Sequence, residues 1–580
     1  MLKHRTLLAI VGLCSLTPLP AVAAPEQDWT LCRKGSDDLS AEIVVARCTA
    51  VLNAAPARDR KLIAYFNRGV AYQRLVWLGS AISDYTEVLK LRPNEWRTLS
   101  NRGLAYADKG EPDRALADYD RSLKINPKAA DTYLNRGLAY YAKDDFARAA
   151  ADYSASLRLN PRDAKVIYTR GNAYSSLGQS DRAMIDYNEA VRLAPRDPLA
   201  YYNRGNEYYD RGDIDRSLAD FDAALRFDPA YAFAYGNRAR SYLAKHDLDR
   251  ALSDYTRAIG LDPRNAVVFS GRGSVYLEKG DLTAALVDLD QAIRLNPKYA
   301  NAYSHRARAW TSKGEMDRAL ADLDVLLRLK PKNASAYISR GSAHYAKEDF
   351  AAAIADYSAA IAIKPDEVTA LGNRALAYKQ RNDYEHALAD YDRALKIDPL
   401  YTRAFQGRGD TYLSKGDIDR AIVDYGEAIK LDPKSADAYE RRGHAFQQKG
   451  EHARELADFE QVARLQPTSA NAWNSLCWSH ALAGELEQAL GNCNEALRLA
   501  PDDGNTLDSR GLTYLKLARF AEAFADYDAA HARLPKLASA LYGRGLARQK
   551  QGDTAGEADI AAAKALKADI AEEYAQYGVK

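Results

Sequence analysis

Sixteen residues separate Cys32 from Cys48, and sixteen separate Cys477 from Cys493. The same interval links Arg68 to Asp84, Arg102 to Asp118, Arg136 to Asp152 and so on to Arg510 and Asp526. Cysteine pairs form disulfides or hold metal, and an arginine facing an aspartate makes a bidentate ion pair. Smaller fragments also suggest chemistry. Gly271-Arg272-Gly273 and Gly407-Arg408-Gly409 look like pieces of phosphate loops, but no strand precedes them. Arg408-Gly409-Asp410 and Arg211-Gly212-Asp213 spell an adhesion tripeptide, yet the first falls on packing positions and the second on a turn. His305, His344 and His480 are scattered. One interval repeated along 580 residues means that one kind of element positions all of these groups.

That element is written in the prolines. From Pro93 to Pro535 a proline recurs every 34 residues without a break. A period of this size marks a stacked-repeat architecture. With the proline as position 32, the first complete repeat starts at Leu62. In the repeat ending at Pro127, Leu99, Gly103 and Tyr106 recur at helical spacing. The break KGEPD follows, and Ala115, Tyr119 and Leu123 make a second stripe. Each repeat is therefore two antiparallel helices, A and B, with a short connection. One pair cannot bury both stripes, whereas stacked pairs can, so the fold is an all-α solenoid.

The pattern resembles the tetratricopeptide repeat family: an aromatic, then L-G-x2-Y, A-x3-F and P. Position 4 is Tyr65, Tyr133, Tyr201, Tyr235, Phe269 or Trp473; position 8 is Gly69, Gly103 or Gly137; position 11 is Tyr72, Tyr106 or Tyr140. Position 20 is Ala81, Ala115 or Ala149, and position 24 is Tyr85, Tyr119 or Tyr153. The resemblance covers nearly the whole chain after residue 24 and implies a right-handed superhelix of about two turns. It divides the chain into a divergent unit at 25–61, fourteen repeats at 62–537, and a terminal unit with a capping helix at 538–580. The alanine-rich run GEADIAAAKALKADIAEEYAQY is expected to continue as one helix and close the stack.

One departure is systematic. Position 7 is arginine and position 23 is aspartate, and the repeat 470–503 loses both together, carrying Leu476 and Asn492. Joint loss implies an ion pair from helix A to helix B inside each repeat, because a half-buried charge without its partner is costly. The last unit keeps Arg544 but has Ile560 at position 23. The repeat without the charges has Cys477 and Cys493 at positions 8 and 24, as Cys32 and Cys48 are in the divergent unit. Position 8 faces helix B in the family, so the resemblance implies the disulfides Cys32–Cys48 and Cys477–Cys493. Two isolated pairs without histidine at ligand spacing speak against metal, and no cofactor is implied.

In the family the working surface is the concave groove, lined by helix A positions 2, 5, 6, 9, 12 and 13. Here position 6 carries Asn67, Asn101, Asn135, Asn203, Asn237 and Asn373, and position 12 carries Tyr141, Tyr209 and Tyr345. An asparagine amide both donates and accepts, so it can satisfy an extended peptide backbone without reading side chains. This resembles the asparagine ladder of the O-linked N-acetylglucosamine transferase solenoid. The carboxylate clamp of chaperone-binding relatives needs lysine at position 5, which here is Phe66, Ser100, Leu134, Tyr168 or Tyr202.

Met1 to Ala24 reads as a secretory signal: a basic start, an apolar run LLAIVGLCSL and an A-x-A site at Ala21-Val22-Ala23. It holds two of the 81 basic residues and none of the 79 acidic ones, so the remainder is neutral and offers no footprint for nucleic acid. No later run is long enough for a membrane span. The expectation is a non-enzymatic scaffold in a Gram-negative periplasm, or secreted, that binds other proteins or peptides. The alternative is a polysaccharide-export factor whose tyrosines stack on sugar.

Overall fold

The computed structural model describes residues 25–35 and 39–579; the predicted signal sequence lies outside them. Among the described residues the regular structure is entirely α-helical. The chain forms two compact bodies, one ending at Asp281 and the other beginning at Leu282. In each, helices pair and stack in chain order.

Local rules set each helix pair. Helix A ends in a left-handed residue at position 15, such as Gly110 at φ +83°. Val76 holds the same position at φ +61°, where a β-branched residue is strained. In some repeats an aspartate at position 16 then caps helix B: the Asp213 carboxylate accepts from the Arg216 N–H. Helix B ends because proline disfavours helical backbone in the residue before it. Asn126, ahead of Pro127, is extended at φ −127°, ψ 91°.

Within a repeat, the position 24 ring packs on position 8. A Cβ on Gly103 would lie 2.7 Å from the Tyr119 ring, and one on Gly137 2.6 Å from Tyr153. Tyr85, Tyr119 and Tyr153 are fully buried; the rings gain from leaving water, while the unpartnered Tyr119 and Tyr153 hydroxyls offset part of it. Where position 8 is alanine, the ring meets the next repeat instead. Tyr255, opposite Ala239, would be 2.5 Å from a Cβ on Gly271, and Tyr391, opposite Ala375, 2.3 Å from one on Gly407. The glycines of the two GRG fragments are thus packing positions.

The arginines at position 7 are staples. Arg102 donates from Nε to Asp118 Oδ2 at 2.7 Å and from Nη2 to Oδ1 at 2.8 Å. The same bidentate pair recurs at Arg136–Asp152, Arg340–Asp356 and Arg510–Asp526. These bonds hold the Arg102 guanidinium above its ordinary value. The third nitrogen reaches a residue absent from the sequence reading, position 25 of the preceding repeat. Arg102 Nη1 donates to Thr86, Arg136 to Asp120 and Arg204 to Asn188. All of these arginines but Arg442, which meets Gly426 there, therefore join one repeat to the one before it.

The exceptions are instructive. Cys32 is bonded to Cys48 and Cys477 to Cys493, with Cα atoms 4.8 and 5.2 Å apart. Cystine occupies the positions where glycine meets tyrosine elsewhere. The divergent unit carries a reversed pair, Arg47 on its second helix with Asp28 on its first at 2.9 Å. Arg544, lacking an aspartate at position 23, takes Asp559 one residue earlier, at 2.9 and 2.8 Å.

The continuous terminal helix expected from the sequence is not formed. It breaks after Leu566 and resumes as the short helix Ile570–Gln576. A continuous helix would carry Ile570 and Tyr574 into solvent. Folded back, they are 1% and 2% exposed, and Lys567 Nζ reaches Glu573 Oε2 at 2.5 Å across the break.

Candidate functional site

All nine position 6 and position 12 residues singled out in the sequence lie on helix A and are half-buried. Their surroundings differ. Asn67 Nδ2 donates to the Cys32 carbonyl at 2.9 Å. Asn101 lies within hydrogen-bond reach of the Tyr85 hydroxyl. Asn237 Nδ2 donates to Tyr202 Oη at 3.0 Å and to Asn206 Oδ1 at 2.6 Å. These three amides join neighbouring repeats. Among the described residues, the side chains of Asn135 and Asn203 in the first body and Asn373 in the second have no protein hydrogen-bond partner. The gaps in the asparagine series at Gly271 and Gly407 follow from the tyrosine rings packed there.

In the first body, repeats 130–163, 164–197 and 198–231 frame a polar cleft of about 240 Å³. Asn203 and Tyr141 line it together with Asn172, Asn206, Ser176 and Asp210, at helix A positions 6, 9, 12 and 13. Tyr187 Oη donates to Asn172 Oδ1 at 2.8 Å from below, and the Tyr141 and Ser176 hydroxyls are 3.2 Å apart. The cleft thus offers carboxamides and the carboxylates of Glu207 and Asp210, groups that pair with a peptide backbone. Asn172 and Asn206 stand at position 9, a groove position outside the position 6 series. Position 9 carries the same signal.

The other tyrosines sit elsewhere. The Arg240 guanidinium covers the Tyr209 ring at 4.0 Å. Tyr345, in the second body, accepts from Gln380 at 2.9 Å and meets Phe350 edge-on. Nothing in these contacts favours sugar stacking.

A second stretch of helix A surface, in repeats 470–503, 504–537 and 538–571, is aromatic. Trp478, Asp508, Ser539 and Tyr542 occupy positions 9, 5, 2 and 5. The terminal helix lies against them. Tyr574 packs on Tyr542 with ring centres 4.8 Å apart and donates to the Ser539 carbonyl at 2.8 Å; Tyr577 stands edge-on to Trp478 at 5.2 Å. Asp508 is buried beneath, accepts from Ser539 Oγ at 2.8 Å, and is pushed up to about 7, chiefly by burial. Its Oδ1 has no partner.

Among the described residues, no three histidine, cysteine or acidic side chains are arranged to hold a metal ion, and no helix is long and apolar enough to cross a membrane.

Family models described as TPR repeat match residues 103–144, 171–206, 273–310, 341–380 and 409–450. Others described as Tetratricopeptide repeat match 198–231 and 368–401, 130–163, 456–504, and 62–95, 234–265 and 436–469. No curated protein sequence matches the chain. Among solved structures, the Cut9-Hcn1 hetero-tetramer of APC/C is similar at 15% identity over 86% of this chain and 97% of that one, with a TM-score of 0.42. Yeast Tom70 is similar at 19% identity over 70% and 93%, with a TM-score of 0.33. YrrB, described as a TPR protein with an unusual peptide-binding site, is similar at 26% identity over 32% and 95%, with a TM-score of 0.27. With its 34-residue period matched along most of its length and folded as stacked helix pairs, the chain belongs to the tetratricopeptide repeat family, whose members are typically non-catalytic protein–protein interaction scaffolds.

Proposed function

We propose that the chain is an exported, non-catalytic scaffold that binds extended segments of other proteins along its helix A surface. The observation that carries this reading is the polar cleft of repeats 130–231, where Asn203 brings an uncommitted carboxamide beside Asn172 and Asn206. Carboxamides in register can pair with a peptide backbone regardless of its side chains. Two cystines in one chain are what an oxidising compartment sustains, which supports export to a bacterial envelope or beyond.

Peptides selected from a random library on the full-length chain test the reading. The combined change Asn135→Ala, Asn203→Ala and Asn206→Ala is expected to weaken them tenfold or more. Arg158→Ala, on the exposed side of helix B, is expected to leave them unchanged. Equal losses from both, or from neither, contradict the assignment. Fractionation of cells against a periplasmic marker tests the compartment.

A further inference from the structure

We propose that the aromatic helix A surface of repeats 470–571 is a separate docking site for a short helix carrying Ile-x-x-x-Tyr-x-x-Tyr, and that the chain's own residues 570–579 hold it until such a partner displaces them. The proposal rests on the reading of helix A as the binding face, but on a different stretch of it and with a helical occupant.

The present occupant defines the chemistry. Ile570, Tyr574 and Tyr577 follow one another at four and three residues, which puts them on one side of a helix. Tyr574 fills the space between Tyr542, the Ser539 carbonyl and the Tyr527 hydroxyl, which lies 3.3 Å away. Gly543 lets Tyr527 through to this face, since a Cβ there would be 2.1 Å from its ring. Tyr577 reaches Trp478, two repeats before the terminal unit. The helix itself packs on the terminal pair, and Tyr577 carries the contact back along the helix A face to Trp478.

Two features make the occupant replaceable. A helix of seven residues has no stability of its own in water, so its order comes from the face that holds it. The fit is also incomplete. Asp508 Oδ1 stays buried and unpartnered under the bound segment, which is unfavourable for any polar atom. A partner that offers a hydrogen-bonding group there satisfies an atom that the chain's own segment leaves bare.

The test uses the full-length chain with its disulfides intact and a fluorescent peptide of residues 568–579. An occupied site lowers apparent affinity by the fraction of time it is free. Tyr574→Ala/Tyr577→Ala is therefore expected to bind the peptide at least tenfold more tightly than wild type, and adding Trp478→Ala and Tyr542→Ala to abolish that binding. In the unaltered chain, saturating peptide is expected to speed hydrogen exchange of amides 570–579, a readout that needs no variant. Equal binding by wild type and the Tyr574/Tyr577 variant, or unchanged exchange, overturns the proposal. So does a wild-type dimer that separates on Tyr574→Ala/Tyr577→Ala, which would give the segment to a second copy. Asn135→Ala/Asn203→Ala is expected to leave the peptide's affinity unchanged, so failure here and failure of the peptide cleft are told apart.

Discussion

The helix A faces of repeats 130–231 and 470–571 share a backbone plan and differ in what they carry. The first presents asparagines, serine and aspartate around a cleft. The second presents Trp478 and Tyr542 and is covered by the chain's own tyrosines. Position 6 shows why they diverge: it is Asn203 in one and Gly543 in the other, where Tyr527 takes its space. Positions 7, 8, 20, 23 and 24 carry the same packing in repeat after repeat, whereas positions 2, 5, 6, 9 and 12 vary, and some of them pack while others face the groove. Repeats can therefore differ on the groove side while each is held by its own staple or cystine and by its neighbour.

The division of labour can be broken most severely at a staple. Arg306 and Asp322 are 22% and 6% exposed, and Arg306 also bonds Asp290 of the preceding repeat. Arg306→Ala leaves a buried carboxylate alone and is expected to cost about 3–5 kcal/mol locally. Arg306→Ala/Asp322→Ala is expected to recover part of that. Native-state hydrogen exchange of repeat 300–333 measures both, because long repeat arrays do not unfold as one unit. Next comes the cystine that replaces a staple. Cys477→Ala/Cys493→Ala opens a loop of about 15 residues and is expected to cost about 3 kcal/mol in the chain-entropy model, read by exchange in repeat 470–503.

The covered face adds a pH dependence of its own. Glu573, Tyr527, Tyr574 and Tyr577 are the titratable groups facing Asp508, and Ser539 is its hydrogen-bond donor. Burial raises Asp508 from 3.8 to about 7 when the terminal helix is docked. The protonated acid tolerates burial and the carboxylate does not, so docking is fully supported below about pH 4. It weakens as pH rises toward 7 and levels off above. Opening of amides 570–579, corrected for intrinsic exchange, is expected to rise at least tenfold from pH 5 to pH 8, and Asp508→Asn to flatten the profile.

The smallest effect is a gain. Arg442 makes the bidentate pair with Asp458, but position 25 of the repeat before it is Gly426, so no acceptor meets its third nitrogen. Gly426→Ser supplies one. Measured against Gly426→Ala, which removes the helix cost of glycine, it is expected to gain about 1 kcal/mol.

Much of this architecture was legible because it is periodic. The helix pairs and the Arg–Asp pairs follow from the register, since a contact fixed once by stacking recurs in each repeat; the cystines follow from the family resemblance, which sets position 8 against helix B. What escaped is what crosses between repeats or departs from the period. Position 25 varies among Thr86, Asp120, Ser154 and Asn188 and looks like ordinary helix surface. Only the shared ability to accept a hydrogen bond reveals it. The Arg47–Asp28 and Arg544–Asp559 pairs lie off the sixteen-residue interval. The terminal helix was read from composition, and alanine content does not report that Ile570 and Tyr574 need a face to cover them. For the nine groove residues, helix A placement was readable from register. Which amides remain uncommitted depends on neighbours such as Tyr202 and the Cys32 carbonyl, which no periodic pattern specifies.

The central claim is that partners are held on helix A. A photo-crosslinking residue placed at Asn203, and separately at Arg158 on helix B, tests it directly with a selected peptide bound to the full-length chain. The account predicts crosslinks at residue 203, lost on competition with unlabelled peptide, and none at 158. Crosslinking at 158 alone, or equally at both, would contradict it.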